Sequence, residues 1–139
     1  MTKRTLTVAS ALFAGMLAVT ALATAAPRSA SMLIRHQTHG CHSWSVNGGA
    51  FKATQTATLG VGGILTIKNT DVMPHTLVQL SGPRVKLHTP SMGHMSAVST
   101  VTFRAPGVYV LGTKAGDDYM KGVKTTGEDN VLRLVVTVR

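Results

Sequence analysis

Near the C-terminal end Leu132, Leu134, Val136 and Val138 recur at every second position, with Arg133 and Thr137 between them. Successive side chains of a strand point to opposite faces, so this pattern buries one apolar row and leaves a polar row outside. The same alternation recurs upstream. Leu65 and Ile67 alternate with Thr66 and Lys68, and Val101 and Phe103 with Thr100, Thr102 and Arg104. His42, Trp44 and Val46 share one face of another segment, and Thr54 to Leu59 forms a further one. Asn47-Gly48-Gly49, Gly60-Val61-Gly62-Gly63, Ala105-Pro106-Gly107 and Glu128-Asp129-Asn130 separate them with turn-forming residues. The spacing predicts an all-β protein, a β-sandwich of about seven or eight strands. Helical periodicity is absent, apart from one turn's worth at 118–123.

The first 25 residues read as a separate unit. Lys3 and Arg4 open a positive region, Leu6 to Ala23 is apolar, and Ala23-Thr24-Ala25 offers the small residues that a signal peptidase accepts. Cleavage is expected after Ala25, with a secreted or periplasmic destination. The competing reading is a retained anchor; the run is of borderline spanning length and rich in Ala and Thr. No Cys follows the small residues, so a lipid anchor is not suggested. The expected organisation is a signal peptide at 1–25, an N-terminal arm at 26–40 without a sustained period, and one domain at 41–139. No stable membrane span is expected after cleavage.

Charge narrows the partners only a little. The chain carries 14 Lys and Arg against 5 Asp and Glu, a formal +9. No run of Lys or Arg, no nucleic-acid motif and only 4% aromatic residues accompany that charge, so nucleic acid is not expected as a partner. Scattered positive charge suits solubility, an acidic partner or an anionic envelope. Cys41 is the single cysteine. No internal disulfide is available, and in an oxidising compartment the thiol calls for burial, an intermolecular bond or a metal.

Two loops carry candidate metal chemistry. Asn69-Thr70-Asp71-Val72-Met73-Pro74-His75-Thr76 sets an imidazole between two strands, and His88-Thr89-Pro90-Ser91-Met92-Gly93-His94-Met95 adds His and Met shortly after. Thioether sulfur suits Cu(I) and imidazole accepts either oxidation state, so the expected cofactor is copper, Cu(I)/Cu(II). His36, His39, Cys41 and His42 place four further potential ligands within seven residues. Each group also has a plain reading: a solvated loop histidine for His75, core-edge methionines for Met92 and Met95, and incidental histidines on an arm.

These residues carry a resemblance. Gly63 to Asp71 followed by Met73-Pro74-His75-Thr76 resembles the cupredoxin segment that delivers the first copper histidine. Thr100 to Leu111 is similar to that family's penultimate hairpin, and Met120-Lys121-Gly122 to its axial Met-x-Gly. The resemblance covers roughly residues 42–138 and implies a Greek-key β-sandwich. It also implies a copper role for His75 and Met120. The departure is equally specific. Where blue-type members carry a Cys after the Tyr-bearing strand and then a His, this chain has Thr113 and the Gly116-Asp117 region. The His₂Cys set with a weak axial Met is therefore incomplete.

The resemblance also implies that the loop from His88 to Met95 shares a rim with His75 and Met120. A site of His75, His94 and Met120, supported by Met92, Met95 or His88, is then geometrically plausible. Cys41 and His42 are harder to place. A first strand rising toward the rim would leave His42 on the order of 16 Å below it, and neighbouring strand residues face opposite sides. Either residues 36–42 bind metal separately, or a reversed or bent first strand brings them to the rim.

The leading expectation is an exported copper-binding protein that stores, buffers or delivers copper, with a redox or copper-transfer protein as partner. The alternatives are an electron carrier using Cys41 as a relocated thiolate, and a metal-free binding module. No carboxylate pair or nucleophile motif stands out, so no enzymatic activity is expected.

Overall fold

The computed structural model describes residues 25–36, 42–113 and 132–139. Residues 1–24, 37–41 and 114–131 lie outside it; they include the signal segment, His39, Cys41 and Met120. Among the described residues no helix is long and apolar enough to cross a membrane.

Two five-stranded sheets share one apolar core. The strands are β1 (Ser29–His36), β2 (His42–Val46), β3 (Thr54–Leu59), β4 (Gly63–Asn69), β5 (His75–Ser81), β6 (Leu87–His88), β7 (Ser91–Met92), β8 (Val98–Phe103), β9 (Gly107–Thr113) and β10 (Arg133–Val138). One sheet has the order β2-β1-β4-β8-β6 and the other β3-β10-β9-β5-β7. Among the described residues, eight strands run five residues or more and β6 and β7 are two residues each. The expected all-β sandwich is what the chain forms.

The alternation read from the sequence is the alternation that packs. Leu65 and Ile67 of β4, Val101 and Phe103 of β8, and Leu134, Val136 and Val138 of β10 are all buried. Trp44 joins them and donates its indole N–H to the Ala53 carbonyl at 3.0 Å. Phe103 and Tyr109 meet edge to face at 4.8 Å between ring centroids, and the Tyr109 hydroxyl donates to the Ala105 carbonyl at 2.7 Å. That bond ties the turn between β8 and β9 to the core.

The expected N-terminal arm is corrected. Residues 29–36 form β1, which lies between β2 and β4 inside the first sheet. Ala30, Met32 and Ile34 face the core while Ser31, Leu33 and Arg35 face outward. The pattern was obscured because Leu33 makes Met32-Leu33-Ile34 a continuous apolar run and Ala30 is a weak hydrophobe. β1 runs parallel to β4, pairing Ser29 with Ile64 and Ile34 with Asn69.

Strand direction defines a rim. β4 ends there at Asn69, β5 begins there at His75, β8 begins there at Val98 and β9 ends there at Thr113. β1 arrives at the same end, because Ile34 pairs with Asn69 and its carbonyl accepts from the Thr70 amide at 2.8 Å and hydroxyl at 2.6 Å. β2 pairs antiparallel with β1, His42 opposite His36, and so runs away from the rim. The first strand rising toward the rim from about 16 Å below is therefore not what forms; β2 starts at the rim end.

Candidate metal centre

The centre is built on Asn69, the last residue of β4 and fully buried. Its amide Nδ2 donates to the carbonyls of Met73 at 2.8 Å, Met92 at 3.1 Å and His94 at 3.4 Å. Its Oδ1 accepts from the Asp71 amide at 2.8 Å. One side chain thus stitches the 70–74 connection to the 92–94 loop. Asx side chains bonding backbone two residues on are a common way of closing such turns. Asp71 repeats the device, its Oδ1 accepting from the Met73 amide at 3.1 Å. Backbone bonds from Ser96 N to Asn69 O (2.7 Å), Ala97 N to His94 O (3.1 Å) and Asn69 N to Ala97 O (2.9 Å) close the second loop.

These turns place His75 as the first residue of β5, 5% exposed. Its Nε2 lies 3.3 Å from Oδ2 of the buried Asp71. His75 is therefore an oriented, nearly buried imidazole beside a carboxylate, in place of a solvated loop histidine. Across from it stands Met92: β7 pairs with β5 in the register His75 opposite Met92. Directly opposed residues of an antiparallel pair project to the same face, with Cβ atoms about 5 Å apart. The Met92 side chain is fully buried. Imidazole and thioether therefore project from directly opposed positions on one face at the rim, both residues buried. The short ladder continues with the Leu77 amide on the Pro90 carbonyl at 2.8 Å.

The other sequence candidates distribute unevenly. His94 lies two residues beyond Met92 and is exposed, its Nδ1 2.9 Å from the Met95 carbonyl. His88 stands apart from the pair: it belongs to β6 in the first sheet, pairs with Thr100, and lines an exposed cleft with Arg84 and Arg104. His42 and His36 hold opposed backbone register positions at the rim end of β1 and β2. Cys41 and Met120 fall outside the described residues. Among those described, no three His, Cys, Asp or Glu side chains converge as a metal cluster.

Copper is the metal that the sequence suggests, and the donors present can be weighed for it. A buried imidazole held by a carboxylate and a buried thioether opposite suit a borderline-to-soft ion that takes nitrogen and sulfur. Oxygen-seeking ions fit poorly, since Asp71 is the only acidic side chain among the described residues and already serves the Met73 amide and His75. Sequence reasoning missed Asn69 and Asp71 as organisers; the Asn-x-Asp spacing of a double Asx turn was the available signal.

No protein-family model matches the chain, and no curated protein sequence matches it. Among solved structures it is similar to a purple cupredoxin from Nitrosopumilus maritimus, with 17% identity, a TM-score of 0.49, and 78% of this chain and 98% of that chain covered. An amicyanin variant in its reduced Cu(I) form is 16% identical, with a TM-score of 0.43, 85% of this chain and 86% of that chain covered. An inclusion body protein from Burkholderia cenocepacia is 10% identical, with a TM-score of 0.44 and coverages of 86% and 100%. The described strands form a two-sheet all-β sandwich, and among the solved structures it is similar to are cupredoxins.

Proposed function

We propose that the protein is an exported copper-binding protein that stores, buffers or hands over copper, with His75 and Met92 as the core of its site. The observation that carries this reading is the buried His75–Met92 pair with Asp71 on the imidazole. A bound copper ion would supply a soft Lewis-acidic centre able to change oxidation state. The chain's own part is to hold the donors. Asp71 fixes the ring, as carboxylates commonly do for ligating histidines, and metal at Nδ1 would give it that role. Asn69 keeps the two loops in register. His94 and Met120 are the next donors proposed. An acceptor protein for copper or electrons is the proposed partner, and no catalytic role is assigned. Export rests on the sequence of residues 1–25.

A second reading is favoured by one observation: β2 begins at the rim, so Cys41 immediately precedes a rim residue, His42. Cys41 would then be a relocated thiolate ligand and the protein an electron carrier. The visible spectrum after stoichiometric Cu(II) addition separates the two. A strong thiolate-to-copper band that Cys41→Ser abolishes supports the carrier of electrons. Bound copper without that band supports the His/Met carrier. Absence of bound copper in either oxidation state contradicts both.

A further inference from the structure

The sequence holds no run of Lys or Arg, yet the fold assembles a cluster. Arg84, Lys86 and Arg104 line one cleft of about 310 Å³, together with His88, Val85 and Tyr109. Arg84 and Lys86 come from the connection between β5 and β6, and Arg104 is the residue after β8. Among the described residues, no acidic side chain lines the cleft. Asp71, the one acid among the described residues, is buried against His75. The chain's other acids, Asp117, Asp118, Glu128 and Asp129, lie outside the described residues.

The backbone under these cations is fixed. Gln79 Nε2 donates to the Pro83 carbonyl at 2.7 Å and its Oε1 accepts from the Val85 amide at 3.1 Å, so one side chain clamps the loop on both sides of Arg84. Gly82 has φ +100°, and a Cβ there would collide with the Val108 carbonyl oxygen. Only glycine permits this close approach of the loop to β9. Tyr109, held through its hydroxyl to Ala105, forms a rigid floor. Like charges gathered on a fixed frame repel one another, and a bound anion reverses that cost. Two guanidinium groups and an ammonium suit an oxyanion of more than one charge, because guanidinium bonds such oxygens bidentately.

We infer that this cleft is a binding site for a small multivalent oxyanion of the phosphate class, with Arg84, Lys86 and Arg104 as its cationic ligands and His88 adding an imidazole. The site stands independently of the copper reading, on residues other than His75, Met92, Asn69 and Asp71. A free phosphate compound and a phosphate headgroup at a membrane surface present the same chemistry, and the test separates them.

The purified protein is melted with pyrophosphate and with chloride at equal ionic strength, in copper-free buffer. Wild type and the triple variant Arg84→Gln/Lys86→Gln/Arg104→Gln are compared with Lys52→Gln/Lys68→Gln, which removes two exposed cations elsewhere. Pyrophosphate is expected to raise the Tm of wild type and the control by several degrees beyond chloride, since a ligand of the native state stabilises it. The triple variant should melt at or above wild type without anion and lose the response. Titration should show a loss of affinity of roughly tenfold or more per cation removed. Cleft-dependent binding to vesicles of phosphatidic acid in phosphatidylcholine, beside the pyrophosphate response, assigns the site to a headgroup. Pyrophosphate binding without vesicle binding assigns it to a soluble phosphate. Equal pyrophosphate effects in all three proteins, or none beyond chloride, overturn the proposal.

Discussion

Asn69 carries more of the rim than any ligand does. Its amide serves three carbonyls from two loops, and its carbonyl oxygen closes the first turn. In Asn69→Asp the size is kept and the donor is lost, so the buried carbonyls of Met73 and Met92 go unmet. Each such group costs on the order of 1–3 kcal/mol. Urea unfolding should show a loss of roughly 2–4 kcal/mol; less than about 0.5 kcal/mol would contradict this account of Asn69. Asp71→Asn tests a different link. It should leave the fold cooperative and weaken copper binding about 10–100-fold, the usual effect of losing a carboxylate that orients a ligand. Chelator competition on the folded variant reads this directly. At this scale His75 and the Met-rich loop were legible from residue type and context. The pairing of His75 with Met92 was not, because it depends on β7, a two-residue strand without a sequence period of its own. Nor was the split of the second loop, which sends Met92 inward and His88 to another sheet.

Among the elements, β4, β8 and β10 were legible because each alternates cleanly and each buries that face. β1 was not, for its outward Leu33 and inward Ala30 blur the period; its central place between β2 and β4 comes from tertiary pairing. β2 could be seen as a strand but not oriented, since direction follows from its hairpin with β1. The turns make a sharper prediction. Gly62 and Gly82 both have positive φ, +80° and +100°, but a Cβ at Gly62 meets open space while one at Gly82 collides with the Val108 carbonyl oxygen. Gly62→Ala should therefore cost about 1 kcal/mol from backbone conformation alone. Gly82→Ala adds a clash with backbone and should cost clearly more, on the order of 3 kcal/mol. Thermal melts of the two variants side by side give the comparison, and equal losses would contradict the close approach of the 82–86 loop to β9.

For the molecule as a whole, the sandwich does two separate things with the same core. Its rim sets an imidazole and a thioether on opposed strand positions beneath two loops tied to Asn69, and the β5–β6 connection, with the residue after β8, gathers cations that the sequence scatters. Overall positive charge was plain from composition. Its concentration in one cleft was not, because Arg84, Lys86 and Arg104 meet only when β6 pairs with β8. In the copper reading proposed above, Thr113 offers no thiolate where the blue-copper pattern has one, and the donors proposed come from the His88–Met95 loop instead. Copper added to the folded protein should raise its Tm in proportion to how tightly the native state holds it. The most direct test is the Cu(I) affinity, by competition with a chromophoric chelator, of the wild-type protein and of His75→Ala/Met92→Leu. One copper per chain in wild type, bound at least about 100-fold more tightly than in the folded variant, is the predicted result. Equal affinity in the two proteins would contradict a site built on the His75–Met92 pair.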